Sequence, residues 1–344
     1  MLSPVADAIL WTSRYVERAE HAARVVDVNL NLMLDLGVSE RSHAARFWES
    51  LVSVPEDREL FFSLYDAANE QSVSEFLTFR TDNPNSVIST ISRARENART
   101  IRESISSEMW ERLNTLYLLT VEPSSRHPAD DNPYAWLKHV RDESQAVQGL
   151  ADTTLVHGEE WHFFCLGMYL ERATNVARAL TLESHLLTLR NGPVREDETV
   201  RWLAVLRSCG SAEAYSRYYS MRVEPARVIE FLLLNALFPQ SIRYSLNAAW
   251  LALRGIAVFE SVDETNLALR SLGRLRASVE HTAVDEILES GLQIFLSDVQ
   301  RHTWEVAEHV TRIYLRDVGI QDNPMPAARA AMIMAAQQQQ QQQQ

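Results

Sequence analysis

The chain has 344 residues, of which 46% are hydrophobic, and a formal net charge of −13. Length and apolar content suffice for one large globular domain or two of ordinary size. The acidic balance argues against a general nucleic-acid-binding protein, which needs a basic surface. The sequence shows no secretory signal and no apolar run of about 18 residues, so a cytoplasmic protein without a membrane span is expected. The two cysteines, Cys165 and Cys209, are expected to be buried thiols.

A long helix is predicted from Ser3 to Gly37. Ser3-Pro4 supplies a cap and a first turn, and Gly37 is a natural stop. The apolar residues of this stretch recur at helical spacing, so they should form one stripe that faces the core. These residues are Ile9, Val16, Ala19, Ala23, Val26, Leu30 and Met33.

Further helices are predicted along the first half over 40–54, 56–69 and 73–79. The turn Asn83-Pro84-Asn85-Ser86 should open another helix, whose apolar side continues to Tyr117. A polar connection over 122–133 precedes a helix over 134–155. In the second half, long helices are predicted over 159–190 and 283–317. The tail, 319–344, ends in eight glutamines and is expected to be disordered.

An internal duplication relates the two halves. Residues 15–24 and 169–178 are identical at six of ten positions, 154 residues apart. Trp48 and Trp202 repeat at the same offset, and Pro84 and Pro239 at an offset of 155. The repeat is far longer than a solenoid unit. The predicted fold is therefore all-α, with two duplicated helical-bundle repeats, 1–155 and 156–318, packed as one compact unit.

Charged residues are retained on both copies of the long helix. A solvated charged face would be the ordinary explanation, but solvent-facing positions usually diverge between copies. Two explanations remain: a buried ion-pair network that fixes the helix crossing, or a polar pocket shared by the halves. The candidate substrate-binding residues of that pocket are Glu17, Arg18, His21, Arg24, Glu171, Arg172, Asn175 and Arg178.

Other site types have little support in the sequence. Glu40–His43 and Glu159–His162 match the Glu-x-x-His spacing of di-iron bundles. Both lie at helix starts, where acidic residues favour the helix dipole, so no metal is expected. Nucleophile elbows, Walker loops and dinucleotide-binding glycine motifs are absent, so no cofactor is expected and no catalytic residue is assigned.

The motif Tyr-x-Glu-Arg-Ala at 15–19 and 169–173, together with Asn83-Pro84-x-Ser86 and residues 95–99, resembles the bacterial alpha-E domain family. That family is all-helical and is named for its Glu-Arg motif; the likeness covers roughly residues 1–318. The resemblance implies partnership with a circularly permuted ATP-grasp protein and a transglutaminase-like protease, in systems that make or modify peptides. It carries over no catalytic residue.

The expected function is therefore that of a helical partner in an ATP-grasp-dependent system that forms or modifies peptide or amide bonds. It would present a peptide or carboxylate-bearing substrate, or complete a site, through the Glu/Arg-lined pocket, because arginine binds carboxylate and phosphate well. One alternative is a structural scaffold whose Glu-Arg motifs pair only with each other. Another is an independent enzyme that uses the pocket between the repeats.

Overall fold

The computed structural model describes residues 3–35, 41–53, 57–121, 132–187, 196–219, 222–259 and 267–314. These ranges form fifteen α-helices and no strand, which confirms the all-α class. None of the helices in them is long and apolar enough to cross a membrane. The helices are α1 (Ser3–Asp35), α2 (Arg41–Ser53), α3 (Arg58–Leu64), α4 (Glu70–Thr78), α5 (Val87–Thr100), α6 (Ser107–Thr120), α7 (Pro133–Thr154), α8 (Glu159–Leu187), α9 (Glu196–Ser208), α10 (Ala212–Tyr219), α11 (Pro225–Leu234), α12 (Ile242–Phe259), α13 (Leu267–Glu280), α14 (Val284–Ser290) and α15 (Leu292–Tyr314).

The two long helices α1 and α8 lie side by side at the centre. Helix α1 packs against α5, α7 and α8, and α8 also packs against α12 and α15. The predicted stripe of α1 is buried: Ile9, Val16, Ala19 and Ala23 are at most 1% exposed. One apolar cluster extends from α1 through α8 to Val310 in α15, so helices from both halves share a core.

The contact between α1 and α8 is closest at Gly167. A Cβ atom added there would lie 2.2 Å from Oγ of Ser13 and 2.4 Å from the carbonyl oxygen of Leu10. No side chain larger than hydrogen fits at this separation. The glycine therefore sets how close the two helices come, one turn before the Glu171-Arg172 motif.

The Asn-Pro turn before α5 is held by its own side chains. Asn83 is fully buried, donates from Nδ2 to the carbonyl oxygen of Phe76 (3.0 Å) and accepts the backbone N–H of Asn85 (2.8 Å). Ser86 accepts the backbone N–H of Ser89 (3.3 Å) and caps the helix. The predicted helix start is confirmed, and the turn holds Asn85 near α1.

The prediction of one helix that continues past Ile105 is wrong, because the structure has two helices in this region. Helix α5 ends at Thr100, and α6 begins after Ser106, whose hydroxyl accepts the backbone N–H of Met109 (3.1 Å). Ile101 and Ile105 lie between the two helices and are both buried. The apolar spacing in the sequence therefore continues across the break. A run of Ser and Thr residues supplies the competing side-chain hydrogen bonds.

Two other predicted helices also end early. The helix predicted over 283–317 breaks at Gly291, whose φ of +105° is strained for any L side chain. The helix predicted over 56–69 ends at Leu64, because Asn69 instead caps α4 in a reciprocal box with Ser72.

Several predictions fall outside the described residues, namely the stop at Gly37, most of the 122–133 connection, the end of the helix at 188–190 and the tail 319–344. The predicted division between residues 155 and 156 falls in the short segment that joins α7 to α8.

Candidate functional site

A buried two-point ion pair joins the Glu-Arg motifs of α1 and α8. Nε of Arg172 donates to Oε1 of Glu17 (2.9 Å), and its Nη2 donates to Oε2 (2.8 Å). Glu17 is 3% exposed and Arg172 7%. Burial alone would lower the pKa of Arg172, but the Glu17 carboxylate outweighs it and raises the pKa above the ordinary value. The guanidinium of Arg172 is therefore charged.

Glu171 forms the reciprocal contact with α1. Its carboxylate accepts Nε of Arg14 (2.9 Å) and Nε of Arg18 (2.7 Å), and the residue is fully buried. Burial would raise the pKa of Glu171, but Arg18 and Arg14 outweigh it and hold the pKa well below its usual value. Each helix thus supplies one glutamate to the arginines of the other.

The network continues from α1 to the Asn-Pro turn and to α7. Nη1 of Arg18 donates to Oδ1 of Asn85 (2.8 Å). On the other side, Gln148 donates from Nε2 to Glu17 (2.8 Å) and accepts Nη2 of Arg172 (3.3 Å). These contacts satisfy further polar atoms of the buried charges, as such pairs require.

Arg24 lies about two turns after Glu17 on α1 and is held by its own helix. Its guanidinium donates to Oε1 of Glu20, which also accepts Nε2 of Gln145 (3.1 Å). The same guanidinium lies 3.4 Å from where a Cβ atom would stand on Gly210, whose φ is +61°. Arg24 therefore packs on the turn between α9 and α10.

The other three predicted site residues lie beside these pairs. Asn175 is 3% exposed, one turn after Glu171, and its Nδ2 has no hydrogen-bond partner among the described residues. Arg178 lies near His21 and lowers the pKa of that imidazole. The eight predicted residues are thus brought together, while their role in substrate binding stays a prediction.

The sequence did not single out Arg14, Asn85 or Gln148. Asn85 lay inside a recognised turn, which is the one available signal. Arg14 and Gln148 belong to no motif, and their roles follow only from where α7 and α8 pack on α1.

His21 gives the network a pH dependence. Burial, opposed by Glu17 and reinforced by Arg24, lowers the pKa of His21 to about 4. An unfolded histidine titrates near 6.5, so stability is full above that pH and falls as the pH drops from 6.5 towards 4. We expect a loss of about 2 kcal/mol in the free energy of unfolding between pH 7 and pH 5, measured by urea denaturation.

The matched variants are His21→Asn, which installs the residue found at the equivalent position 175, and His281→Asn on the exposed surface. His21→Asn should remove most of this pH dependence, whereas His281→Asn should keep it. An unchanged pH dependence in His21→Asn would show that another group is responsible.

A cleft of about 640 Å³ opens between α7, α8 and α12. Arg172 lines it, and the other seven predicted residues do not. Nε and Nη2 of Arg172 are bonded to Glu17 and Gln148, and Nη1 has no acceptor among the described residues. The remaining lining is formed by Gln145, Gln148, Gly149, Asp152, Trp161, His162, Phe164, Cys165, Met168, Tyr169, Tyr244, Ala248, Leu251 and Ala252.

Burial holds two ionisable groups of the cleft in their neutral forms. Burial raises the pKa of Cys165 and of Tyr169 to about 12, so neither is a nucleophile near neutral pH. The guanidinium of Arg172 lies 5.2 Å from the ring centroid of Tyr169. The prediction that both cysteines are buried thiols is confirmed, because Cys209 is buried and free as well.

The described residues contain no group of three or more His, Cys, Asp or Glu side chains placed to hold a metal ion. His162 of the Glu159–His162 pair instead packs on Gly255, where an added Cβ atom would lie 2.3 Å from its ring. The side chains of Glu40 and His43 lie outside the described part of the chain.

The chain is similar to proteins of no known activity. Uncharacterized proteins of Mycobacterium bovis and of two strains of Mycobacterium tuberculosis are each 24% identical to it over 330 residues, which covers 86% of this chain. The aligned stretch is 34% of each relative, so the chain spans about a third of their length. No solved structure matches. Residues 1–315 match Alpha-E, described as a predicted alpha-helical domain with a conserved ER motif, and the chain belongs to this family.

Proposed function

We propose that this protein is the helical partner of a circularly permuted ATP-grasp protein in a system that forms or modifies peptide or amide bonds. In this role it presents substrate to the ligase through the cleft beside Arg172. The relatives are compatible with such a role, because in each of them the similar stretch is joined to further polypeptide. A transglutaminase-like protease is a second proposed partner.

One observation carries the proposal: Arg172 belongs both to the buried network and to the wall of the cleft. Glu17 and Gln148 fix the guanidinium from behind, so Nη1 is aimed without the entropy cost of ordering a free side chain. ATP-grasp ligation activates a carboxylate as an acyl phosphate. A fixed arginine suits both of these anionic groups.

The test is reconstitution with a circularly permuted ATP-grasp protein from the same genome. We expect the two proteins to co-purify, and ligase-dependent ADP release to rise at least tenfold when this chain is added. Ala248→Met, which fills the cleft, should abolish the rise without preventing complex formation. The control is Arg301→Gln, an exposed arginine on α15, which should behave as the wild type. Absence of both complex and stimulation would refute the proposal.

The second candidate is a structural scaffold, and the completeness of the ion pairs favours it. Glu17 accepts three charged or amide donors and Glu171 accepts two, so the charge of each carboxylate is already balanced from within the chain. A scaffold requires the network but not the cleft. Full stimulation of the ligase by Ala248→Met would therefore favour the scaffold.

The duplication remains part of this proposal, with repeats over 1–155 and 156–318 that pack as one unit. Ser13 and Gly167 face each other and are 154 residues apart, and the contacts of Glu17 with Arg172 and of Arg18 with Glu171 have nearly the same spacing. The two helices run in the same direction, and residues at nearly equivalent positions contact each other along both. A two-fold relation between α1 and α8 accounts for this pattern.

A further inference from the structure

The cleft has a positive and a negative end. The inner end holds Nη1 of Arg172 with the side-chain amide of Gln148 beside it. The outer end holds the carboxylate of Asp152, which is 67% exposed and accepts Nε1 of Trp161 (3.3 Å). Gln148 and Asp152 are one turn apart on α7, so their backbone positions are separated by about 6 Å along that helix.

The wall opposite α7 is apolar although it faces solvent. Leu251 of α12 is 65% exposed, and Ala248 and Ala252 lie on the same side of the helix. Met168 of α8 completes this surface. An exposed leucine next to two alanines gives the cleft an apolar surface. An apolar group of a ligand would cover such a surface.

The positions in the first half that correspond to this wall carry charged residues. An offset of 155 relates Ala248 to Arg93, and Tyr169 corresponds to Tyr15. The guanidinium of Arg93 lies 5.9 Å from the ring centroid of Tyr15 and donates to the carbonyl oxygen of Pro84 (3.3 Å). The same offset relates charged Glu96 to Leu251. The cleft thus has small and apolar residues at positions where the first half has charged ones.

We propose that the cleft binds a dipeptide with free termini, its carboxylate on Arg172, its ammonium group at Asp152 and its apolar side chains against Leu251 and Ala248. This rests on the proposed function and names its substrate class. An extended dipeptide spans about 7 Å, which matches the two ends, whereas a single amino acid is too short. A volume of about 640 Å³ admits the side chains as well.

The first test is calorimetric titration of the full chain with alanyl-leucine, its C-terminal amide and its N-acetyl derivative. Amidation removes the group held by Arg172 and should weaken binding at least tenfold. Acetylation removes the ammonium group at the more exposed end and should weaken binding about threefold. In Asp152→Asn, the free and acetylated dipeptides should bind equally.

The second test uses the shape of the cleft. Ala248→Met places a longer side chain in the cleft and should weaken the binding of alanyl-leucine at least tenfold. Leu237→Met, at a position that is 75% exposed and outside the cleft lining, is the matched control and should bind as the wild type. Urea denaturation of each variant separates a loss of binding from a loss of fold. Arg172 itself is not substituted, because its removal also breaks the buried pair.

Three outcomes would overturn the dipeptide site: no binding of alanyl-leucine at up to about 10 mM, equal affinity for the dipeptide and its amide, or unchanged binding in Ala248→Met. Inorganic phosphate that binds more tightly than the dipeptide would also overturn it, since the cleft would then be an anion site. Dipeptide binding without any effect on the ligase would refute the proposed partnership and leave the site standing.

Discussion

Glu171→Ala is expected to lower the free energy of unfolding by about 3–5 kcal/mol, because it leaves the guanidinium groups of Arg14 and Arg18 without their buried counter-charge. A loss of this size is a large part of the stability of an ordinary domain. Urea denaturation monitored by tryptophan fluorescence measures it.

The matched control is Glu96→Ala on α5. Glu96 also pairs with two arginines, Arg95 and Arg99, but its side chain is 51% exposed. Solvent-exposed pairs contribute little, so this variant should lose less than about 1 kcal/mol. Equal losses in the two variants would contradict the claim that burial makes the Glu171 contacts strong.

Acidic pH should reduce the contribution of Glu171 to the free energy of unfolding. Because its folded pKa is depressed, the stability it contributes is present above the unfolded pKa of about 4.3 and is lost as the pH falls below that value. The difference in unfolding free energy between the wild type and Glu171→Gln should therefore be constant from pH 7 to pH 5 and shrink below pH 4.

We expect the second large effect from Gly167→Ala, which should lower the free energy of unfolding by about 1–3 kcal/mol. Alanine normally stabilises a helix by up to about 1 kcal/mol relative to glycine, so the sign is diagnostic. The new methyl group would lie 2.4 Å from the carbonyl oxygen of Leu10, which is backbone and cannot rotate away. Helices α1 and α8 would have to separate, which also lengthens the contact of Glu17 with Arg172.

Gly149→Ala on α7 is the control, because a Cβ atom there would have nothing within 4 Å. It should raise the free energy of unfolding by about 0.5–1 kcal/mol. Ser13→Ala should rescue Gly167→Ala only in part, since it removes one of the two close atoms. A Gly167→Ala variant as stable as Gly149→Ala would show that the helices are not held at this separation.

The sequence alone was sufficient to predict the helices that have a clear apolar period and a local cap. The stripe of α1 and the start of α5 at Ser86 follow from spacing and turn chemistry. The breaks at Ser106 and Gly291 were missed because apolar positions continue through both, and periodicity does not register a change of helix direction.

The candidate site was predictable only as a set of residues. Retention of the Glu-Arg motif in two copies pointed to Glu17, Arg18, Glu171 and Arg172. Which glutamate meets which arginine depends on the crossing of α1 and α8, and therefore on Gly167. A pocket shared by the halves was predicted, but its apolar wall was not, because Leu251 at helical spacing in α12 resembles an ordinary core position.

The exchange of partners between α1 and α8 has a consequence for how the chain is made. When α1 leaves the ribosome, Glu17 lacks Arg172 and Arg18 lacks Glu171, since these partners are encoded 155 and 153 residues further along. At about 5–20 residues per second, α8 follows roughly 8–30 s later. During that interval Glu17 and Arg18 lack their ionic partners, and within the first half Gln148 and Asn85 are the residues that bond to them. We therefore expect the buried network to close as a late step of assembly.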